Sequence, residues 1–182
     1  MTVYLRRMAD SIVITTPDDP RAVPLVDELS REYDERYGLN DGVPSSFELR
    51  RYPAANFRPE QGGLFLLVVR DGVTIAGGAY KRVDATTAEI KRVWTASTHR
   101  RQGLARLVMA ELESAARARG YRSVELTTGA RQPEALALYL GLGYTPRFAL
   151  DADLEEVGYL AFDKELGQIS SSSGSGENVS AA

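Results

Sequence analysis

The chain has 182 residues, a formal net charge of -3 and no cysteine. This length suits one ordinary domain, and 43% hydrophobic with 26% charged residues is the usual balance of a soluble globular protein. The slight negative charge argues against a general nucleic-acid binder, and the missing cysteines exclude disulfides, thiolate metal sites and a cysteine nucleophile.

The single histidine, His99, cannot form a multi-histidine metal centre, so we predict no metal site and interpret His99 as a surface residue. No apolar run approaches about 18 residues, and the first ten residues lack the apolar core of a signal peptide. We therefore expect a cytoplasmic protein with no membrane partner and no nucleic-acid partner.

The first third of the chain predicts a strand, a helix and an irregular region. Residues 11–15 are β-branched and apolar, and residues 21–37 carry apolar side chains at helical spacing up to Gly38. Residues 40–61 mix prolines with aromatic residues, which favours a short helix plus an ordered loop. Such a loop often lines a binding site, although it would equally serve to cover the core.

A period of two replaces the helical period from Gly62 onward. Residues 64–69 and 73–80 predict a hairpin around Asp71 and Gly72, and residues 87–95 predict a third antiparallel strand. Simple alternation in that third strand puts four residues on one face and three on the other: Glu89, Lys91, Val93 and Thr95 against Ile90, Arg92 and Trp94.

Alternating helices and strands complete the domain. Helices are predicted at 103–119 and 133–141, and strands at 123–127, 144–148 and 157–162. The fold class is therefore α/β (α+β), one domain with a mixed, mostly antiparallel central sheet of about six or seven strands flanked by helices. We expect an N-terminal extension at 1–10, the domain at 11–166, and a disordered Gly-, Ser- and Ala-rich tail at 167–182.

The chemistry signal is the string RRQGLA, residues 100–105, between a predicted strand and the longest helix. The first N–H groups of a helix lack intrahelical partners, the helix dipole adds positive potential, and glycine permits close approach of a ligand. Arg100, Arg101 and Arg106 add charge at the same end. The pattern suits a pyrophosphate, although alone it also fits an arginine-rich helix start without a ligand. Neither G-x-G-x-x-G nor a P-loop occurs, which disfavours NAD and ATP.

Together with the downstream string QPEALALYLGLGY, residues 132–144, this motif resembles the GCN5-related N-acetyltransferase (GNAT) superfamily. Arg100, Gly103 and Ala105 occupy the defining positions of the family motif, and Gln132 stands where the family usually has asparagine. The resemblance implies that acetyl-CoA is the cosubstrate. It also implies these cofactor-binding residues: Val93, Trp94, Thr95, Arg100, Arg101, Gln102, Gly103, Leu104, Ala105, Arg106 and Gln132.

The resemblance further implies transfer of an acetyl group from acetyl-CoA to a primary amine by direct attack. Glu89 would act as general base, directly or through water, and Tyr139 as general acid towards the CoA thiolate. Each residue has a plainer interpretation, since Glu89 also fits a solvated strand carboxylate beside Lys91 or Arg92, and Tyr139 fits a core aromatic.

The acceptor stays open between small amines, amino acids and protein amines. Five aromatic residues could form a wall around it: Tyr33, Tyr37, Phe47, Tyr52 and Phe57. Arg82, Lys91 and Arg92 could instead hold a substrate carboxylate. Two alternatives remain, a catalytically silent acyl-CoA-binding module and, more weakly, an adaptor that uses the arginines. We expect a monomer or a homodimer.

Overall fold

The computed structural model describes residues 10–167. The expected extension at 1–10 and the expected tail at 167–182 therefore lie outside the described residues, apart from Asp10 and Gly167. The described elements follow in chain order: β1 (Ser11–Thr15), α1 (Val23–Tyr37), β2 (Leu39–Asn40), β3 (Val43–Pro44), β4 (Leu64–Arg70), β5 (Val73–Arg82), β6 (Thr87–Thr95), α2 (Leu104–Arg119), β7 (Ser123–Gly129), α3 (Pro133–Gly141), β8 (Thr145–Pro146), α4 (Leu154–Val157) and β9 (Tyr159–Glu165). Short 3-10 turns lie at Pro20–Ala22, Ser45–Arg50, Ala54–Phe57, Pro59–Gln61 and Ser97–His99.

The main sheet has seven strands in the order β1-β4-β5-β6-β7-β9-β8. Every neighbouring pair is antiparallel except β6 and β7, which run parallel. Strands β2 and β3 form a separate two-residue hairpin. The predicted class, one mixed and mostly antiparallel sheet with helices on it, is confirmed.

Two apolar clusters cover the two faces of the sheet. One contains the buried stripe of α2, with Val108 and Leu112, against Ile90 and Phe162. The other contains Leu25 and Leu29 of α1 against Phe65 and Trp94. The prediction that helices flank the sheet with an apolar stripe facing the core is therefore confirmed, and the structure places the two long helices on opposite faces.

The predicted alternation along β6 is wrong beyond Lys91. Arg92 and Val93 together lie opposite Gly78 of β5, and Arg92 has a left-handed φ of 59°, so the strand carries a β-bulge. One extra residue reverses the faces: Ile90 and Val93 both pack with the α2 cluster, whereas Trp94 packs with the α1 cluster. Glu89 therefore does not share a face with Val93 and Thr95.

The last two strands also differ from expectation. The predicted strand at 144–148 is reduced to Thr145–Pro146, and the strand predicted at 157–162 runs from Tyr159 to Glu165. The residues between them include the single turn of α4, whose first turn is capped by the Asp153 side chain. Val157 consequently ends a helix rather than beginning a strand.

Candidate functional site

A cleft opens where the two parallel strands separate. Pairing between β6 and β7 ends at Ile90 and Leu126, although β6 continues to Thr95 and β7 to Gly129. Beyond that point the two strands no longer pair with each other, and their diverging ends line a cavity of about 1130 Å³. Helices α1, α2 and α3 and the segment at 39–57 complete its walls. A cavity of this size, open to the backbone of two strands, can hold a long and partly extended ligand.

The N-terminus of α2 forms one end of the cavity. Gly103 caps the helix with a left-handed φ of 81°, and no side chain hydrogen-bonds to the first turn. Arg101, two residues earlier, also has a positive φ of 61°. The N–H groups of Leu104 and Ala105 are thus left without intrahelical partners, and a Cβ built at Gly103 would meet no atom within 4 Å. This is the geometry of an anion site.

The predicted cofactor residues collect at this cavity with one exception. Ten of them line it: Val93, Trp94, Thr95, Arg100, Arg101, Gly103, Leu104, Ala105, Arg106 and Gln132. Gln102 does not, and its side-chain oxygen accepts a hydrogen bond from Arg70 at 2.8 Å. The side chains of Trp94 and Leu104 are buried in the two apolar clusters, where the Trp94 indole donates to Glu28 at 3.1 Å.

Two polar groups of the cleft walls bear on ligand binding. The Thr95 hydroxyl is buried and has no hydrogen-bond partner among the described residues. The side-chain oxygen of Gln132 accepts from the Thr128 hydroxyl at 2.5 Å and from the backbone N–H of Gly129 at 3.4 Å. Gln132 therefore ties the start of α3 to the C-terminal end of β7, so its amide oxygen is already occupied.

Tyr139 lies in α3 between the cavity and the core. Its side chain is buried, and its ring packs against Tyr144 and Phe162 with centroid separations of 5.8 and 5.6 Å. Burial raises the pKa of Tyr139 well above its ordinary value. The phenol is protonated at neutral pH even at its ordinary pKa, and the protonated state is the one that a general acid requires.

Glu89 is held by two lysines and does not line the cavity. Its carboxylate lies 2.6 Å from Lys81 Nζ and 2.7 Å from Lys91 Nζ, and its side chain is 12% exposed. Burial alone would raise the pKa of Glu89, but the hydrogen bonds and charges of Lys81 and Lys91 outweigh it and hold the pKa below its usual range. Simple alternation predicts this carboxylate on the same face of β6 as Val93, but the bulge puts the two side chains on opposite faces.

The other end of the cavity is aromatic. Its walls include all five of the aromatic residues proposed from sequence: Tyr33, Tyr37, Phe47, Tyr52 and Phe57. Lys91 and Arg92 also line the cavity, whereas Arg82 does not. Sequence reasoning missed the β2–β3 hairpin, Glu48 and Tyr159, because no local pattern shows that separate segments meet at one rim.

A protein-family comparison agrees with this architecture. The model of the acetyltransferase (GNAT) family matches residues 24–144, about two thirds of the chain. The chain belongs to the GNAT acetyltransferase family. The match runs from α1 through the cleft to the end of α3, and so includes the helix start at Gly103, Glu89 and Tyr139.

Solved structures similar to this GNAT domain extend the likeness to nearly the whole described chain. A candidate acyl-CoA N-acyltransferase from Klebsiella pneumoniae is 26% identical over 87% of this chain and 98% of its own, with a TM-score of 0.67. The PaiA N-acetyltransferase from Thermoplasma acidophilum, solved in complex with coenzyme A, is 18% identical over 87% and 99%, with a TM-score of 0.65. YncA, a candidate acetyltransferase from Salmonella typhimurium solved with its cofactor acetyl-CoA, is 17% identical over 89% and 96%, with a TM-score of 0.62.

Two further classes of site, a membrane-spanning helix and a metal centre, are missing from the described residues of this GNAT domain. Within residues 10–167, no helix has both the length and the apolar character to cross a bilayer. The same residues contain no group of three or more histidine, cysteine or acidic side chains placed to hold a metal ion.

Proposed function

We propose that this protein is an acetyl-CoA-dependent N-acetyltransferase that acts on a primary amine. The observation that carries the proposal is the cleft between β6 and β7. One end of this cleft is the N-terminus of α2, where Gly103 is in the left-handed region and no side chain hydrogen-bonds to the first turn. A bound anion there is stabilised by free N–H groups and by the helix dipole. The aromatic end of the same cavity leaves room for an acceptor.

The residues present fit acetyl-CoA in two respects. The pyrophosphate would lie at the backbone N–H groups of 103–106, flanked by Arg101 and Arg106, for which the described residues provide no carboxylate partner. The unpaired edge of β6 at Val93 and Thr95 would hold the pantetheine arm as an extra strand would be held. When bound, acetyl-CoA supplies an activated acetyl group.

Tyr139 is our candidate general acid. In the reaction, the amine nitrogen bonds to the thioester carbonyl carbon, the carbon–sulfur bond breaks, and the sulfur leaves as a thiolate that takes up a proton. Tyr139 lines the cleft and its phenol is protonated at neutral pH, so it is able to donate that proton. No hydrogen bond within the described part of the chain involves its hydroxyl.

The general base has two candidates. Glu89 stays our prediction from the family resemblance, acting through water, because both of its oxygens are engaged by Lys81 and Lys91. Glu48 is the competitor that the structure adds, since it lines the cavity and lies 3.9 Å from Lys91 Nζ. Comparison of Glu89→Gln with Glu48→Gln in the pH dependence of kcat/KM separates the two: the variant of the true base loses the acidic limb.

The test of the proposed function is Tyr139→Phe with Tyr80→Phe as its matched control. Tyr80 is equally buried and burial raises its pKa to about 12, but it does not line the cavity. With an amine panel and acetyl-CoA, Tyr139→Phe should lower kcat about 100-fold, the low end of general acid–base contributions, while Tyr80→Phe stays near wild type.

Two outcomes would contradict the proposal in different ways. Near-normal turnover of Tyr139→Phe would remove that residue from the mechanism. Calorimetric binding of CoA, expected in the micromolar range or about -8 kcal/mol, without turnover of any amine would favour the catalytically silent CoA-binding module.

A further inference from the structure

The residue at the centre of the β6 bulge, Arg92, lies at the aromatic end of the cavity. Its guanidinium donates through Nη2 to the Leu49 carbonyl, and its Cζ lies 4.3 Å from the centroid of the Phe57 ring. Within residues 10–167, no carboxylate lies within ion-pair distance of it. A guanidinium has five N–H donors, so most of its capacity stays unused in this partly buried position.

The other cations of the cavity are paired with carboxylates or lie at the start of α2. Lys91 is paired with Glu89 at 2.7 Å, Arg100 with Glu32 at 3.2 Å, and Arg131 with Glu155 at 3.1 Å. Arg101 and Arg106 stand at the start of α2, where the pyrophosphate is proposed. Among the described cavity residues, Arg92 is thus the cation of the acceptor end that lacks a carboxylate.

The backbone conformation at Arg92 disfavours any residue that has a side chain. A bulge residue with φ of 59° is a position that glycine occupies at lower cost, because a Cβ crowds the backbone in the left-handed region. Strained residues of this kind cluster at ligand sites. The contact with Leu49 gives a structural reason for an arginine, but it uses one donor only.

We propose that Arg92 binds a carboxylate of the acceptor, so that the acceptor is an amine that carries a carboxylate, such as an amino acid. This inference rests on the proposed acetyltransferase function. The planar guanidinium can donate two parallel hydrogen bonds to a carboxylate, and a carboxylate entering a partly buried site needs such a partner. Binding there would hold the amine of the same molecule inside the cleft.

The rim of the cavity suggests which amino acids to use. Leu39, Val43, Phe47 and Tyr159 line it and are exposed, with Phe47 58% and Tyr159 71% accessible. An apolar acceptor side chain would cover part of this surface. Phenylalanine and 2-phenylethylamine form a matched pair, because they differ only in the carboxylate.

The experiment measures kcat/KM for both acceptors in wild type, Arg92→Lys and Arg82→Lys. Lysine keeps the charge but loses the planar fork, so Arg92→Lys should lower the phenylalanine to 2-phenylethylamine ratio about 10- to 100-fold, mainly through KM of phenylalanine. Arg82 is exposed, donates to the Asp84 carbonyl and lies outside the cavity, so Arg82→Lys should leave the ratio unchanged.

Three results would each overturn the inference. The first is an unchanged ratio in Arg92→Lys, and the second is an equal loss for both acceptors with a lowered melting temperature. The third is acetylation only of amines without a carboxylate. The proposed function would survive all three results. If no amine were acetylated, that function would fail, and the carboxylate site would be judged by calorimetry. Phenylalanine and 2-phenylethylamine would be titrated into the CoA-loaded protein, where equal or absent binding overturns the site.

Discussion

Replacement of Gly103 by alanine tests whether the start of α2 is an anion site or only a helix cap. Gly103 has φ of 81°, where an L-residue costs roughly 1–2 kcal/mol because its Cβ crowds the backbone. No atom lies within 4 Å of the added methyl, so no clash adds to that cost. For a chain of this size, the loss corresponds to a fall in melting temperature of about 2–8 °C.

Gly120 provides an internal control, because it caps the other end of the same helix. It also has a left-handed φ, 102°, and its added Cβ would likewise meet nothing within 4 Å. Gly120 does not line the cavity, whereas Gly103 does. The two alanine variants should therefore lose similar stability, and Gly103→Ala alone should bind CoA less tightly.

The expected loss of affinity follows from the hydrogen bonds at stake. A methyl at Gly103 occupies the approach to the free N–H groups, and loss of one charge-assisted hydrogen bond costs about 1.5–3 kcal/mol, or roughly 10- to 100-fold in Kd. Differential scanning fluorimetry and calorimetry with CoA measure the two quantities on the same samples. Unchanged Kd in Gly103→Ala, or equal weakening in Gly120→Ala, would refute the pyrophosphate assignment.

Two further predictions concern the stability that buried polar contacts contribute. Lys81 and Lys91 hold the pKa of Glu89 below its ordinary value, so this ion pairing stabilises the fold above about pH 4.3 and is lost as pH falls through the lowered folded-state pKa. The melting temperatures of wild type and Glu89→Gln should hence converge between about pH 4 and 2, and parallel curves would contradict this. Tyr144 donates to the buried Glu113 carboxylate at 2.9 Å, so Tyr144→Phe should cost about 2 kcal/mol by urea denaturation, and a cost below about 0.5 kcal/mol would argue against that bond.

The layers of the fold were predictable because they depend on periodicity. The apolar stripe of α2 and the Asp71–Gly72 turn are local patterns, and each appears in the structure where the pattern indicates. The stripe of α1 is shifted, because Leu25 is buried and Val23 is exposed. The faces of β6 were not predictable in the same way. A bulge at Arg92 leaves no signal in a sequence without glycine at that position, and one extra residue reverses every side chain beyond it.

The cofactor end and the acceptor end of the cavity also differ in how well sequence describes them. The cofactor end is built from one strand end and the adjoining helix start, so residues 93–106 are neighbours in sequence as well as in space. The acceptor end joins α1, the β2–β3 hairpin, the 3-10 turns and β9, and such long-range meetings follow from the fold as a whole. The sequence therefore identifies the five aromatic residues as a group, but it does not show where each of them lies in the cavity.

The bulge links these two ends. Because Arg92 and Val93 lie opposite the single residue Gly78, β6 turns Val93 towards the α2 layer and Arg92 towards Phe57 and the α1 layer. The same irregularity lies just beyond Ile90, where β6 stops pairing with β7 and the cleft begins. Arg92→Gly would relieve the backbone strain but lose the hydrogen bond to Leu49 and the contact with Phe57, and it would remove the guanidinium from the acceptor end. A gain in melting temperature together with a lost preference for carboxylate-bearing acceptors would show that the strained arginine serves substrate selection rather than folding.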